Sequence, residues 1–231
     1  LDTLTDKREL FSHAQAQADK VIVDSDHCAE LGDDPDGVLR VLARSAVDEG
    51  VPTADFSWKR LRPYRRLAAA AFDGDERTAW LAEVVRIDLC GLRPVAARLF
   101  GLWFAERLGW TRFDAATADA PHPGDTGVGN ASDGTAAAPG SADRYRDPRG
   151  RIVEAARGEG SASGEVTVAV TLSDGREVTI TAGANGCADL EFPGGTEAPI
   201  VSMPSNGEIL LEEVDAVYAD DLYRNAIELV R

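Results

Sequence analysis

Five basic residues fall within the segment ADFSWKRLRPYRRL (residues 54–67): Lys59, Arg60, Arg62, Arg65 and Arg66, against a single acid, Asp55. A guanidinium is a planar fork of donors that matches two oxygens of a phosphate or carboxylate. Four arginines within seven residues therefore suit anion recognition. Trp58 and Tyr64 sit among them, and their ring faces can stack on arginine or on a ligand. The competing reading is structural. In it Trp58 and Tyr64 belong to the core, and the arginines pair with nearby acids.

A second candidate lies upstream. Val21-Ile22-Val23 is a short β-branched run that stops at Asp24-Ser25-Asp26. Ligands of open α/β sheets bind beyond the carboxyl ends of strands, which makes Asp24 and Ser25 candidate site residues. Helix capping or a turn explains the same residues equally well. The other reactive side chains carry little signal. His13, His27 and His122 have no partner at zinc-ligand spacing. The glycines of GDTGVGN lack the preceding strand and following helix of a phosphate loop. There is no G-x-S-x-G elbow and no evident His/Cys pairing, so no catalytic residue, metal or cofactor is expected. Cys28, Cys90 and Cys187 show no C-x-x-C spacing, which fits reduced thiols, with a redox-sensing role left open.

Acids outnumber bases 40 to 24, giving a formal net charge of −16 across 231 residues. Such a balance argues against nucleic acid or an anionic membrane as the main partner, because both require a basic surface. Lysine is scarce (Lys7, Lys20 and Lys59), and arginine supplies the remaining positive charge. High salt and a GC-rich genome account for that pattern equally. No apolar run of 18 residues and no signal peptide is evident, and a cytoplasmic location is the expectation. The chain starts at Leu1 and its only methionine is Met203, which suggests the C-terminal piece of a longer protein.

The elements that must position these residues follow from patterning. FSHAQAQ opens as a polar helix leading into the Val21–Val23 strand, and DDPDGVLRVLARSAVDEG reads as the helix after it. Asp55 suits the cap of a short helix through Trp58 and Leu61. Pro63 suits the first turn of the next, which places Tyr64, Leu67, Ala68, Ala71 and Phe72 on one side. LAEVVRIDLCG reads as a strand. RPVAARLFGLWFAERLGW reads as a strong helix with Leu99, Leu102, Trp103 and Leu108 toward the core. Residues 114–149 are dominated by Ala, Gly, Asp, Pro, Ser and Thr and read as a flexible insertion, since they bury too little apolar area to offset their ordering entropy. After it, Val166, Val168, Val170 and Leu172 alternate, Ser173-Asp174-Gly175 turns, and Val178 and Ile180 resume: an antiparallel hairpin. The last block reads as one or two amphipathic helices with Leu210, Leu211, Val214, Val217, Leu222, Ile227 and Leu229 on the apolar side.

With these elements in place, DFSWKRLRPYRRLAAAAFD resembles the Asp-x-x-Trp-x-Arg-Leu-x-Pro-Trp-Arg…Phe-Asp segment of the OpcA family, the glucose-6-phosphate dehydrogenase assembly proteins. Asp55, Trp58, Arg60, Leu61, Pro63, Arg65, Phe72 and Asp73 match, and Tyr64 stands where the family usually has a second Trp. ADKVIVDS, LFGLWFAERLGW and LLEEVDAVYADDLYRNAI are similar to further family segments in the same order. The resemblance implies a single C-terminal domain over residues 1–231, with the family's N-terminal domain largely absent. It implies a non-enzymatic factor whose partner is glucose-6-phosphate dehydrogenase and which supports NADPH production by the oxidative pentose phosphate pathway. The alternative is a sugar-phosphate or nucleotide sensor. Asp24, Ser25, Trp58, Arg60, Tyr64 and Arg65 are the expected partner- or ligand-binding residues. The expected fold is α/β or α+β: a mixed sheet flanked by helices, parallel in its N-terminal half and an antiparallel meander after the insertion.

Overall fold

A computed structural model describes residues 13, 17–113, 142–158, 164–183, 185–216 and 218–231. Most of the polar helix expected at the start, most of the 114–149 stretch, and Val217 lie outside the described residues. Two sheets form. Strands β1 (Val21–Val23) and β2 (Thr53–Asp55) pair in parallel as a two-stranded sheet. Between them run α1 (Ser25–Glu30) and α2 (Pro35–Ala43), the latter continuing as a π-helical turn over Arg44–Asp48. Next come α3 (Phe56–Arg60), α4 (Arg62–Ala71) and α5 (Asp75–Trp80). The second sheet has eight strands: β3 (Val84–Cys90), β4 (Thr111–Arg112), β5 (Asp143–Arg146), β6 (Ile152–Gly158), β7 (Val166–Leu172), β8 (Glu177–Ala182), β9 (Ala188–Phe192) and β10 (Gly195–Glu197). Their spatial order is β10-β9-β8-β7-β3-β6-β5-β4. Helix α6 (Pro94–Arg107) follows β3, while α7 (Asn206–Asp215) and α8 (Asp221–Glu228) close the chain.

The mixed sheet flanked by helices is therefore present, and β7 to β10 form the expected antiparallel meander. The parallel N-terminal part is present as well, with one difference of placement. It stays a separate pair, β1–β2, while β3 crosses into the large sheet and inserts between β7 (antiparallel) and β6 (parallel). The β7–β8 hairpin turns where the sequence indicated. Gly175 adopts φ 84° there, a conformation that a side chain would strain. Strand β5 occupies the end of the stretch assigned to the insertion, and its Tyr145 is 1% exposed. One buried aromatic and pairing to β6 give this short segment the anchor that its composition conceals.

Each long strand alternates. Ile87, Leu89, Val153, Ala155, Val168, Val170, Val178, Ile180 and Leu190 point into the core. The opposite face carries charge, with Arg86 joined to Asp88 and Glu154, and Arg144 joined to Glu154. A sheet with one face packed and one solvated reads as this clean alternation. Helix α6 lies on the packed face, against β3 and β6, with α1, α2, α3 and α8 on its other side. That sandwiching explains why Val95 to Leu102 are all buried and why the helix lacks a polar face. Its one buried charge, Arg98, is met by Asp36 and Asp143. Leu99 and Phe100 are fully buried, and each contributes roughly 1.5–3 kcal/mol through its transfer from water.

The closing helices correct the apolar assignment. On α7, Ile209 and Glu213 face inward, while Leu211 and Val214 are 69% and 66% exposed and Leu210 is exposed as well. On α8, Tyr223, Ala226 and Ile227 are buried, and Leu222 is exposed. The reason lies in the ion pairs of the site.

Candidate functional site

The carboxyl ends of β1 and β2 lie side by side, and the two candidate segments meet there. Asp24 caps α1, and Asp55 caps α3 by accepting from the Ser57 backbone N–H at 2.9 Å. Both residues close a strand in extended conformation and open a helix, which is what an N-cap requires. Parallel pairing sets Val23 beside Asp55, so the caps also bond across the pair. Ser25 Oγ donates to Asp55 at 2.7 Å and Ser25 N at 3.2 Å. Tyr223 of α8 donates its hydroxyl to the same carboxylate at 3.3 Å. Asp26, buried beside them, accepts from the Val95 and Ala96 N–H groups and thereby satisfies the first turn of α6. Asp55 is fully buried, and burial outweighs the hydrogen bonds it accepts, pushing its carboxyl up to about 6.

The basic segment leaves this knot and grips the C-terminal helices. Arg60 forms a bidentate pair with Asp24, at 2.9 and 2.6 Å, and donates a further bond to Asn206 at 3.1 Å. Burial alone would raise the Asp24 carboxyl, but Arg60 holds it below its usual range. Lys59 meets Glu213 at 2.8 Å and Asp220 at 3.1 Å. Lys20 meets Glu213 at 2.8 Å and also donates to the Glu213 and Ala216 carbonyls. Burial opposes ionisation of Glu213, yet the two lysines outweigh it and keep the carboxyl below its ordinary value. Arg62 is bidentate to Glu212, at 2.8 and 3.0 Å. Glu213 must therefore point inward, and the exposure of Leu210, Leu211 and Val214 follows from that rotation of α7.

Trp58 is 0% exposed. Its indole N–H donates to Asp220 at 2.9 Å, and its ring lies 5.6 Å from that of Tyr223. Arg65 stacks on the other side, with its guanidinium carbon 3.5 Å from the Trp58 ring centroid. Among the described residues, Arg65 Nη1 is buried and has no hydrogen-bond acceptor. Burial, with Arg62 and Arg107 nearby, lowers its guanidinium to about 10. Tyr64 is half-buried, and that burial raises its phenol.

The structure thus brings Asp24, Ser25 and Arg60 into one hydrogen-bonded cluster. Trp58 joins the cluster through Asp220 and Tyr223, and Arg65 stacks on its outer side. Sequence reasoning gave Asp55 only a capping role and missed Glu213, Asp220 and Tyr223. A signal for Asp220 was present, since Asp at the start of DDLY is an N-cap type, and it does accept from Tyr223 N. Among the described residues, no group of three or more His, Cys, Asp or Glu side chains could hold a metal ion. No described helix is long and apolar enough to cross a membrane. All three cysteines are free, and burial pushes the Cys28 thiol up to about 11, which leaves little thiolate at neutral pH.

An α/β domain whose strand-end carboxylates are committed to internal capping and pairing is the class that this geometry defines. Residues 51–227 match the family model for the C-terminal domain of a glucose-6-phosphate dehydrogenase subunit, and this chain belongs to that family. The protein named "Putative OxPP cycle protein OpcA" of Nostoc punctiforme is 40% identical over 103 residues, covering 44% of this chain and 21% of that protein. Its namesake in Synechocystis sp. is 35% identical over 104 residues, with the same coverage. The matched region thus spans about a fifth of the length of these relatives. Among solved structures, a dehydrogenase from Chromobacterium violaceum is similar at 13% identity and a TM-score of 0.48, over 99% of this chain and 70% of that one. UDP-N-acetylglucosamine 3-dehydrogenase GnnA from Acidithiobacillus ferrooxidans is similar at 12% identity and a TM-score of 0.45, over 95% and 78%. At such scores neither neighbour bears on what this chain does.

Proposed function

We propose that this chain is the C-terminal domain of a non-enzymatic factor that promotes assembly or activity of glucose-6-phosphate dehydrogenase in the cytoplasm. It would thereby support NADPH production by the oxidative pentose phosphate pathway. The observation that carries the reading is the family match over residues 51–227, which includes the whole basic segment. An assembly factor need only bind the active oligomer better than the inactive form. Within the segment, Tyr64 and Arg65 are each only partly buried and keep surface for a partner. Asp24, Ser25, Trp58 and Arg60 act by holding them in place. Trp, Tyr and Arg are also the residue types enriched where interface energy concentrates. The test mixes purified protein with the cognate dehydrogenase and follows binding, oligomeric state by light scattering, and NADPH production rate. The expected result is a complex with altered oligomeric state or rate, weakened in Arg65→Ala. A dehydrogenase that neither binds nor changes would sink the proposal.

One observation favours a second reading, a sugar-phosphate or nucleotide sensor: Arg65 forms no ion pair with a carboxylate among the described residues and has Arg62 and Arg107 nearby. Glucose 6-phosphate, 6-phosphogluconate or NADP would then raise the melting temperature saturably, and Arg65→Ala would abolish the shift. Intact dehydrogenase binding without any such shift leaves the partner reading alone.

A further inference from the structure

One side of α4, from Arg62 to Ala70, faces the segment between β10 and α7 across a groove of about 510 Å³. Pro63, Leu67, Leu190 and Val201 give it an apolar lining, Arg66 stands on one wall and Ile200 on the other. Ile200 is 92% exposed, the most exposed large apolar side chain among the described residues. Its backbone is pinned, which distinguishes it from a residue on a loose loop. Cys187 and Ile200 form a β-bridge, Ala188 N donates to the Pro199 carbonyl at 3.3 Å, and Val201 N donates to the Gly186 carbonyl at 2.9 Å. The approach is so close that a Cβ on Gly186 would come within 2.6 Å of the Val201 carbonyl oxygen, and Gly186 has φ 79°. The fold therefore holds an isoleucine in water at a fixed point and forgoes the stabilisation that its burial would bring.

Charge narrows what fits. Of the three ionised side chains that line the groove, Arg62 is neutralised by Glu212 and Glu197 by Arg77. Arg66 has no ion-pair partner among the described residues, so the groove keeps one uncompensated positive charge on a chain of net charge −16. A carboxylate is repelled over most of this surface and drawn to this point. Glu197 belongs to β10, which is the outer strand of the sheet and pairs only with β9. Its free edge offers main-chain donors and acceptors to an extended segment.

We propose that this groove is the docking site for an extended segment of the partner protein that carries an apolar side chain next to a carboxylate. The apolar side chain packs between Ile200 and Leu67, and the carboxylate pairs with Arg66. The inference rests on the reading above, in which the partner is glucose-6-phosphate dehydrogenase, and adds to that interaction a second contact surface beside Tyr64 and Arg65.

Titration calorimetry or interferometry of the dehydrogenase against wild-type protein, Ile200→Glu, Arg66→Glu and Leu211→Glu tests it. Both groove positions are at the surface, so unchanged circular dichroism and melting temperature should show that the variants fold. The expected result is a rise in Kd of about tenfold or more for Ile200→Glu, a smaller rise for Arg66→Glu, and no change for Leu211→Glu. Wild-type binding that Ile200→Glu and Arg66→Glu leave intact overturns the groove and spares the functional reading. Loss in Leu211→Glu alone moves the interface to α7 and likewise overturns it. Self-association of the wild type that Ile200→Glu abolishes makes the occupant a second copy, again against the proposal. A wild type that does not bind the dehydrogenase overturns both.

Discussion

Lys59, Arg60 and Arg62 each donate to a carboxylate from another part of the chain. Arg65 and Arg66, one helical turn later, meet no carboxylate among the described residues, although all five belong to one basic segment. The difference is one of direction. Helix α3 runs between the strand-end caps and α7, and every cation it carries finds an acid there. Helix α4 starts at Arg62, which still pairs with Glu212, and then runs across β8 and β9, where its later arginines form no ion pair with those acids. Of its two later arginines, one stacks on Trp58 and the other lines a groove. One segment thus serves as a clamp at its start and keeps free donors at its end.

The comparison breaks most visibly at Trp58. Trp58→Ala empties a fully buried site, removes the ring that supports Arg65 and strips Asp220 of a donor. Stability should fall by about 4 kcal/mol, measured by urea unfolding. A loss below about 1 kcal/mol would mean that the clamp is not a structural unit.

The knot beneath it should titrate. Asp55 has a folded-state pKa of about 6 against an unfolded value near 3.8. The folded protein therefore binds the extra proton between those values, and stability falls as pH rises through that window. The decrease should approach about 3 kcal/mol, at 1.36 kcal/mol per unit. Asp55→Asn should flatten the slope between about pH 4 and 6.5. An unchanged slope in that variant would assign the titration to another group.

The smallest expected effect sharpens the contrast from the other side. Arg66→Ala should change stability by less than about 0.5 kcal/mol, since it removes no internal bond. A loss well above that would place Arg66 in the clamp as well.

Much of the architecture was legible because local chemistry writes it. Alternation in β7 and β8 around Ser173-Asp174-Gly175, the apolar length of α6, and the proline at the start of α4 each depend on near neighbours. The site was legible in half. Residue types and spacing marked the segment from Trp58 to Arg66 and the Asp24-Ser25 strand end, but not that Arg60 joins them. The pattern on α7 misled because three apolar residues in five suggest a buried side. That side is exposed because Glu213 is drawn inward by two lysines.

By itself the sequence determined the longer helices and strands, several of the caps and turns, and that the basic segment demanded explanation; it did not disclose the short β5 inside the Gly/Ala/Pro-rich stretch. Periodicity and capping act over a few residues, so they survive in one dimension. Only the tertiary structure decided which acids answer the basic residues. Lys59 and Asp220 are 161 positions apart, and charge identifies a need for a partner without selecting one of 40 acids. The fold made that selection by placing β3 between β6 and β7 and by packing α6 between sheet and helices. Long-range pairing of this kind is set by how buried faces close on one another, which no local window of sequence contains.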